Sequence, residues 1–354
     1  MTSATEWDEV AFYANRLCDD YSLDTNSLEV MINWLTSCFQ AGILSDEDTG
    51  LPLSKVGSLE FIETLARRIS LREGFGDILA RGSIQAADEV GRDAREILDG
   101  YTIRAGQDTA YDPRMYIVTG LLYAMEPRQP IQQLHEIFNP ILSWLLWTYK
   151  LEGSYASGDV IRAMAGRFWG SEEAADFSTY EGKAMAAKKI QDRQYANECL
   201  ILCNFAWPLM LVKDSEDHIG DPGVESKVLS AVTGKHFDEE GLYEIGERVF
   251  NLQRAIHARE GHNGRESDIL PDAFYSQPLQ ADHFNPGCLV PGKGGEPLSR
   301  QGQVVERDEF ERMKDEYYGL RGWDVTGGLQ KKSRLEELGL GYIAEDLAKR
   351  KLVT

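Results

Sequence analysis

The chain has 354 residues, 42% of them apolar and 10% aromatic, enough to bury a substantial core and to build more than one domain. Its 58 acidic residues against 37 basic ones leave a formal charge of -21, which argues against nucleic acid or an anionic membrane as a partner, because those surfaces reward clusters of Lys and Arg. The most apolar run, 137–149, is too short for a membrane span and carries Asn139 and Pro140; the acidic start "MTSATEWDEV" lacks the parts of a secretory leader, so a cytoplasmic location is expected.

Helical periodicity dominates from the start. "NRLCDDYSLDTNS", 15–27, turns at Ser22 and reaches Asp24 just before an amphipathic stretch in which Leu28, Met31, Ile32, Leu35, Phe39 and Ile43 form one stripe. The spacing predicts a helix over 27–43, capped by Asn26 or Ser27. Ser58 opens a second such helix through Leu59, Ile62, Leu65, Ala66 and Ile69, stopped by Gly74 and Gly76. Further helices are predicted over 77–91, 114–124, 131–150, 158–169, 173–212, 239–260, 306–318 and 341–352. Alternating strand patterns are nearly absent, so the fold class is mainly α, in a multi-helical two-domain arrangement. "RAGQDTAYDPRM", 104–115, reads as the crossing between helical domains at 1–105 and 106–354. The Gly- and Pro-rich region 264–304 reads as a long loop.

Two short stretches share a pattern. Residues 19–24 run Asp-x-x-Ser-Leu-Asp, and within "NECLILCNFAWP" residues 198–203 run Glu-x-x-Ile-Leu-Cys. Acids at such a turn can cap a helix, or can accept hydrogen bonds from the N–H groups of a heterocycle such as a pterin; both readings stand on spacing alone. The five cysteines, Cys18, Cys38, Cys199, Cys203 and Cys288, are odd in number and scattered, which fits reduced thiols or a metal ligand and not a disulfide framework. Cys199 and Cys203 are one helical turn apart and could share a helix face, yet such a pair is not a metal site by itself, and buried free thiols are the alternative.

Six phrases in order carry a family resemblance: "NRLCDDYSLDTNS", "RRISLREGFGDILARG", "AYDPRMYIVTGLLYAMEPR", "NECLILCNF", "REGHNGRESDILPDAF" and "EYYGLRGWDVTGG" leading to "LEELGL". The chain resembles the C-terminal two thirds, domains 2 and 3, of the tungsten-containing aldehyde ferredoxin oxidoreductase family, whose relatives include class II benzoyl-CoA reductase catalytic subunits. The resemblance implies that the two motifs grip a tungsten (or molybdenum) bis-molybdopterin from its pterin ends, through Asp19, Leu23 and Asp24 in the first domain and Glu198 and Leu202 in the second. It also implies that Cys203 is the fourth ligand of a 4Fe-4S cluster. Ser22 and Ile201 stand where the family usually has Gly, and Glu198 where it usually has Asp. Position 24 is Asp where some relatives place Cys; a carboxylate is a harder ligand than a thiolate, which excludes W–S bonding from there.

The family places a catalytic histidine shortly after the "YA…R" phrase. Here Gln132 falls nearest that position and His135 follows one turn later, either as a proton donor or as a ring packed beside the Trp144 and Trp147 helix. Glu126 is a second candidate acid, and the other five histidines read as surface or packing residues. The family's β-rich N-terminal domain and its Cys-x-x-Cys-x-x-x-Cys run have no counterpart in this sequence, so the cluster would need three thiolates from elsewhere. The expected function is therefore the C-terminal subunit, or part, of a split tungstopterin and iron-sulfur oxidoreductase, inactive alone. It would act on an aldehyde or an aromatic acyl-CoA, with an N-terminal-domain subunit carrying the other cluster cysteines and ferredoxin or another iron-sulfur or flavin protein as electron partner. The alternative is a cofactor-free helical relative that serves as a binding or scaffold subunit, which the altered Ser22, Glu198 and Ile201 favour.

Overall fold

A computed structural model of the chain describes residues 8–100, 102–103, 106–282 and 285–354. Among these residues the fold is mainly α: regular structure is almost all helical, and the one sheet is a ribbon in which β1 (Leu289–Pro291) pairs antiparallel with β2 (Pro297–Ser299). The chain divides into two compact units, one of residues 1–110 with 271–273, the other of 111–270 with 274–354.

In the first unit the helices Thr25–Gln40 and Leu59–Leu71 form where the apolar stripes predict them. Their buried faces supply Trp34, Leu35, Cys38, Phe61 and Leu65 to one core, joined by Leu98 from the helix Arg92–Asp99. Trp34 satisfies its ring N–H on the Ala94 carbonyl at 2.9 Å, so a large indole is buried without an orphaned donor. Ser58 caps its helix as expected. The cap of Thr25–Gln40 is not Asn26 or Ser27 but Asp24, whose carboxylate accepts from the Ser27 N–H at 2.6 Å. The helix predicted over 77–91 is two pieces, Phe75–Leu79 and Ser83–Val90, because Gly82 at φ 100° breaks it. Gly76 is fixed by close approach: a Cβ there would lie 2.2 Å from the Arg68 carbonyl oxygen.

The second unit is organised around Lys183–Cys199, a helix buried on nearly every side despite carrying Lys183, Gln191, Asp192, Arg193, Gln194 and Asn197. Burying charges is costly unless they are paired or hydrogen-bonded, and here Asp192 and Arg193 are paired while Lys183 donates to the Glu173, Asp176 and Glu181 carbonyls. Arg193 pairs with Glu136 and donates to the Tyr243 hydroxyl and the Phe168 carbonyl; Arg321 pairs with Asp192 and donates to Tyr317 and Gln191. Arg254 forms a two-point pair with Asp268 at 2.7 and 2.5 Å. The neighbouring helix Glu239–Arg259 packs closely through Gly246, where a Cβ would meet the Asp192 carbonyl oxygen at 1.8 Å. Periodicity overextends the central helix to 173–212; the observed helix starts after the left-handed Gly182 and ends at Cys199. Cys203 therefore lies beyond the helix end, and the two cysteines do not share a helix face.

Candidate cofactor site

Both motifs build the same turn. The helix Glu9–Tyr21 ends with Ser22 in the left-handed region at φ 56°; Ser22 N–H donates to the Asp19 carbonyl at 3.3 Å and Leu23 N–H to the Cys18 carbonyl at 2.8 Å. In the second motif Ile201 has φ 57°, its N–H donates to the Glu198 carbonyl at 3.0 Å, and Leu202 N–H donates to the Asn197 carbonyl at 3.0 Å. These are two Schellman closures, each with an acid three residues before a left-handed residue and a leucine after it. Glycine is the residue that occupies this position without strain; Ser22 and Ile201 hold it with a side chain, at a cost of about 1–2 kcal/mol each.

The side chains divide the work. In the first motif the Asp19 carboxylate is exposed and accepts no hydrogen bond from any described residue. Asp24 commits one oxygen to the Ser27 cap and leaves the other free, so capping does not exhaust it. Leu23 packs against the first unit's core and anchors the turn. In the second motif Leu202 is half-buried and Glu198 lies 3.8 Å from Arg128. Burial pushes the Glu198 carboxyl up; Arg128 opposes that shift and Glu126 adds to it. The Cys203 thiol is exposed, beside Ile201 at 92% and Phe205 at 78% exposure, so this loop presents apolar surface next to a thiol.

His135 sits in the second turn of the helix Ile131–Thr148 and is only 8% exposed. Its ring neighbours are Tyr111, edge-on at 5.7 Å, and Phe205 at 4.8 Å. Its Nδ1 lies 2.9 Å from the amide nitrogen of Asn204, the residue after Cys203, and burial pulls its pKa down. Asn204 also lines a cavity of about 200 Å³ with Asn139, Ser143, Tyr155, Phe205 and Trp207. Glu126 is a different kind of acid. Its two oxygens accept from Gln133 at 2.7 Å, Gln191 at 3.1 Å, Tyr195 at 2.7 Å and Gln253 at 2.9 Å, so no oxygen is left to exchange a proton with a substrate. It serves as a buried anchor joining four elements. Neither Asn204 nor the Glu126 cage is legible from spacing, because the partners are up to 127 residues apart in sequence.

The donor set fits the cofactor the resemblance implies. A pterin presents ring and amino N–H groups, and Asp19 and the second oxygen of Asp24 are unspent acceptors held on a rigid turn. Glu198 is a weaker match, because it already faces Arg128. A cluster fits only in part: among the described residues no three or more His, Cys, Asp or Glu side chains converge to hold a metal, so Cys203 would supply one thiolate of four.

Comparison with known proteins places the chain. The family model described as aldehyde ferredoxin oxidoreductase, domains 2 & 3, matches residues 4–340, and the chain belongs to that family. The tungsten-containing aldehyde ferredoxin oxidoreductase of Pyrococcus furiosus is 27% identical over 328 residues, covering 92% of this chain and 44% of that protein. The aliphatic sulfonate oxidoreductase WOR-like subunit of the same organism is 24% identical over 346 residues, 97% of this chain and 44% of that protein. Among solved structures, the active-site complex BamBC of benzoyl coenzyme A reductase with 1,5-dienoyl-CoA has the same fold, with a TM-score of 0.62 at 20% identity over 98% of this chain and 48% of that one. The chain spans about half the length of the curated relatives it matches.

Proposed function

We propose that the chain is the cofactor-closing part of a tungstopterin oxidoreductase, completed by an N-terminal-domain partner that brings three cluster thiolates. The observation that carries this reading is the repeated turn: an acid, a left-handed residue three positions later and the same pair of closing hydrogen bonds recur at Asp19–Leu23 and Glu198–Leu202. When bound, tungsten on its two pterins supplies the two-electron redox chemistry. Asp19 and Asp24 would accept from pterin N–H groups, Glu198 and Leu202 would form the second grip, and Cys203 would supply one thiolate of a shared 4Fe-4S cluster, with ferredoxin or another redox protein as the electron partner. His135 handles the proton, as a buried imidazole with the rings of Tyr111 and Phe205 packed against it. The adjoining cavity has room for one small ring, and the one carboxylate in its lining, Glu136, is neutralised by Arg193, which suits an uncharged aldehyde or the ring of an aromatic acyl-CoA.

A second reading, a cofactor-free helical scaffold of cytoplasmic complexes, is favoured by the Glu198–Arg128 pair and by the strained Ile201. Anaerobic co-expression with the partner in a tungsten-supplemented host, followed by metal analysis, separates the two. The enzyme reading expects tungsten and about four iron atoms per complex, with iron lost in Cys203→Ala; a complex with neither tungsten nor molybdenum leaves the scaffold.

A further inference from the structure

We infer that Asn204 is a positioning residue that holds the His135 ring in the tautomer with its proton on Nε2; this rests on the reading of His135 as the proton-handling group. The Asn204 amide nitrogen lies 2.9 Å from His135 Nδ1. An amide nitrogen can only donate, so Nδ1 is the acceptor and the ring's single proton is left on Nε2. The edge of Tyr111 and the ring of Phe205 restrict ring rotation, so the hydrogen bond selects a direction for the N–H as well as a tautomer.

The surroundings leave this selection to Asn204. Tyr111 is the titratable group packed on the ring, and it meets the imidazole edge-on. Glu136, next in sequence, commits one oxygen to Arg193 and the other to Gln194. Asn204 belongs to the loop that carries Cys203, and it also lines the adjoining cavity. One side chain thus touches the imidazole, bounds the cavity and follows the thiol directly, so the position of this loop sets which nitrogen of His135 can give up a proton.

The test is ring-nitrogen NMR on the full chain with isotopically labelled histidine at about pH 8, above the imidazole range, with the His135 signals identified by their loss in His135→Gln. The wild type is expected to show Nε2–H as nearly the whole population. Asn204→Asp offers an acceptor in place of the donor and is expected to invert the ring to Nδ1–H. Asn204→Leu removes both and is expected to leave a mixture. An Nδ1–H ring in the wild type overturns the assignment whether or not either variant folds, and so does an unchanged signature in variants that keep the helical circular dichroism. The readout needs no cofactor: a complex without tungsten defeats the enzyme reading and leaves the tautomer result standing.

Discussion

Ser22 and Ile201 adopt one backbone conformation, φ 56° and 57°, each closing a helix three residues after an acid. A β-branched residue is the least suited to this region, and Ile201 is 92% exposed, so almost no buried contact offsets its strain. Ile201→Gly is therefore expected to raise stability by about 1 kcal/mol in urea unfolding. A loss of stability would show that the isoleucine side chain contributes packing at the turn.

Asp19 and Asp24 separate under the same measurement. Asp24→Ala removes the Ser27 cap and is expected to cost about 1 kcal/mol. Asp19→Ala touches no hydrogen bond and should stay within about 0.5 kcal/mol of the wild type. Cofactor retention in the complex should fall in both, which distinguishes an acid that binds from one that only caps.

The Arg193–Glu136 pair is fully buried, and removing one partner strands the other charge. Glu136→Leu or Arg193→Met alone is expected to cost about 3–5 kcal/mol, and the double variant less than the two singles combined. Thermal unfolding of the four proteins as a double-mutant cycle gives the coupling.

Asp268 sets an acid limit. Burial would raise its carboxyl, but Arg254 and the His262 hydrogen bond outweigh burial and hold it well below the usual carboxylate range. His262 accepts the Gly264 N–H on Nδ1, which leaves Nε2–H to donate to Asp268 at 3.1 Å. With the folded pKa depressed, the stabilisation is complete above the unfolded value of about 3.9 and is lost as pH falls below it. Asp268→Asn is expected to be less stable at neutral pH and to have a shallower acid slope below about pH 4; an unchanged slope would place the acid sensitivity elsewhere.

The sequence carried the helices whose burial is one-sided. The stripes of Thr25–Gln40 and Leu59–Leu71 are visible because each faces one core and water on the other side. The limits of Lys183–Cys199 are not legible in the sequence because that helix is buried nearly all round, so its charged residues break the stripe while Asp192 and Arg193 are paired by residues far along the chain. Glu9–Tyr21 is legible too, in the Asp8 cap and in the stripe of Val10, Tyr13, Ala14, Leu17 and Cys18 that faces the core. At the site the repeated acid motif was legible as a pattern. That its turns keep the left-handed geometry without glycine is a conformational fact spacing cannot supply, and Asn204 is tied to His135 only by the fold.

Cofactor binding by each turn is tested by the tungsten content of the purified complex in wild type, Asp19→Ala and Glu198→Ala, all three with matched circular dichroism. Tungsten is expected in the wild type, with a marked loss in each variant. Full tungsten retention in both variants, or none in the wild type, would contradict that binding.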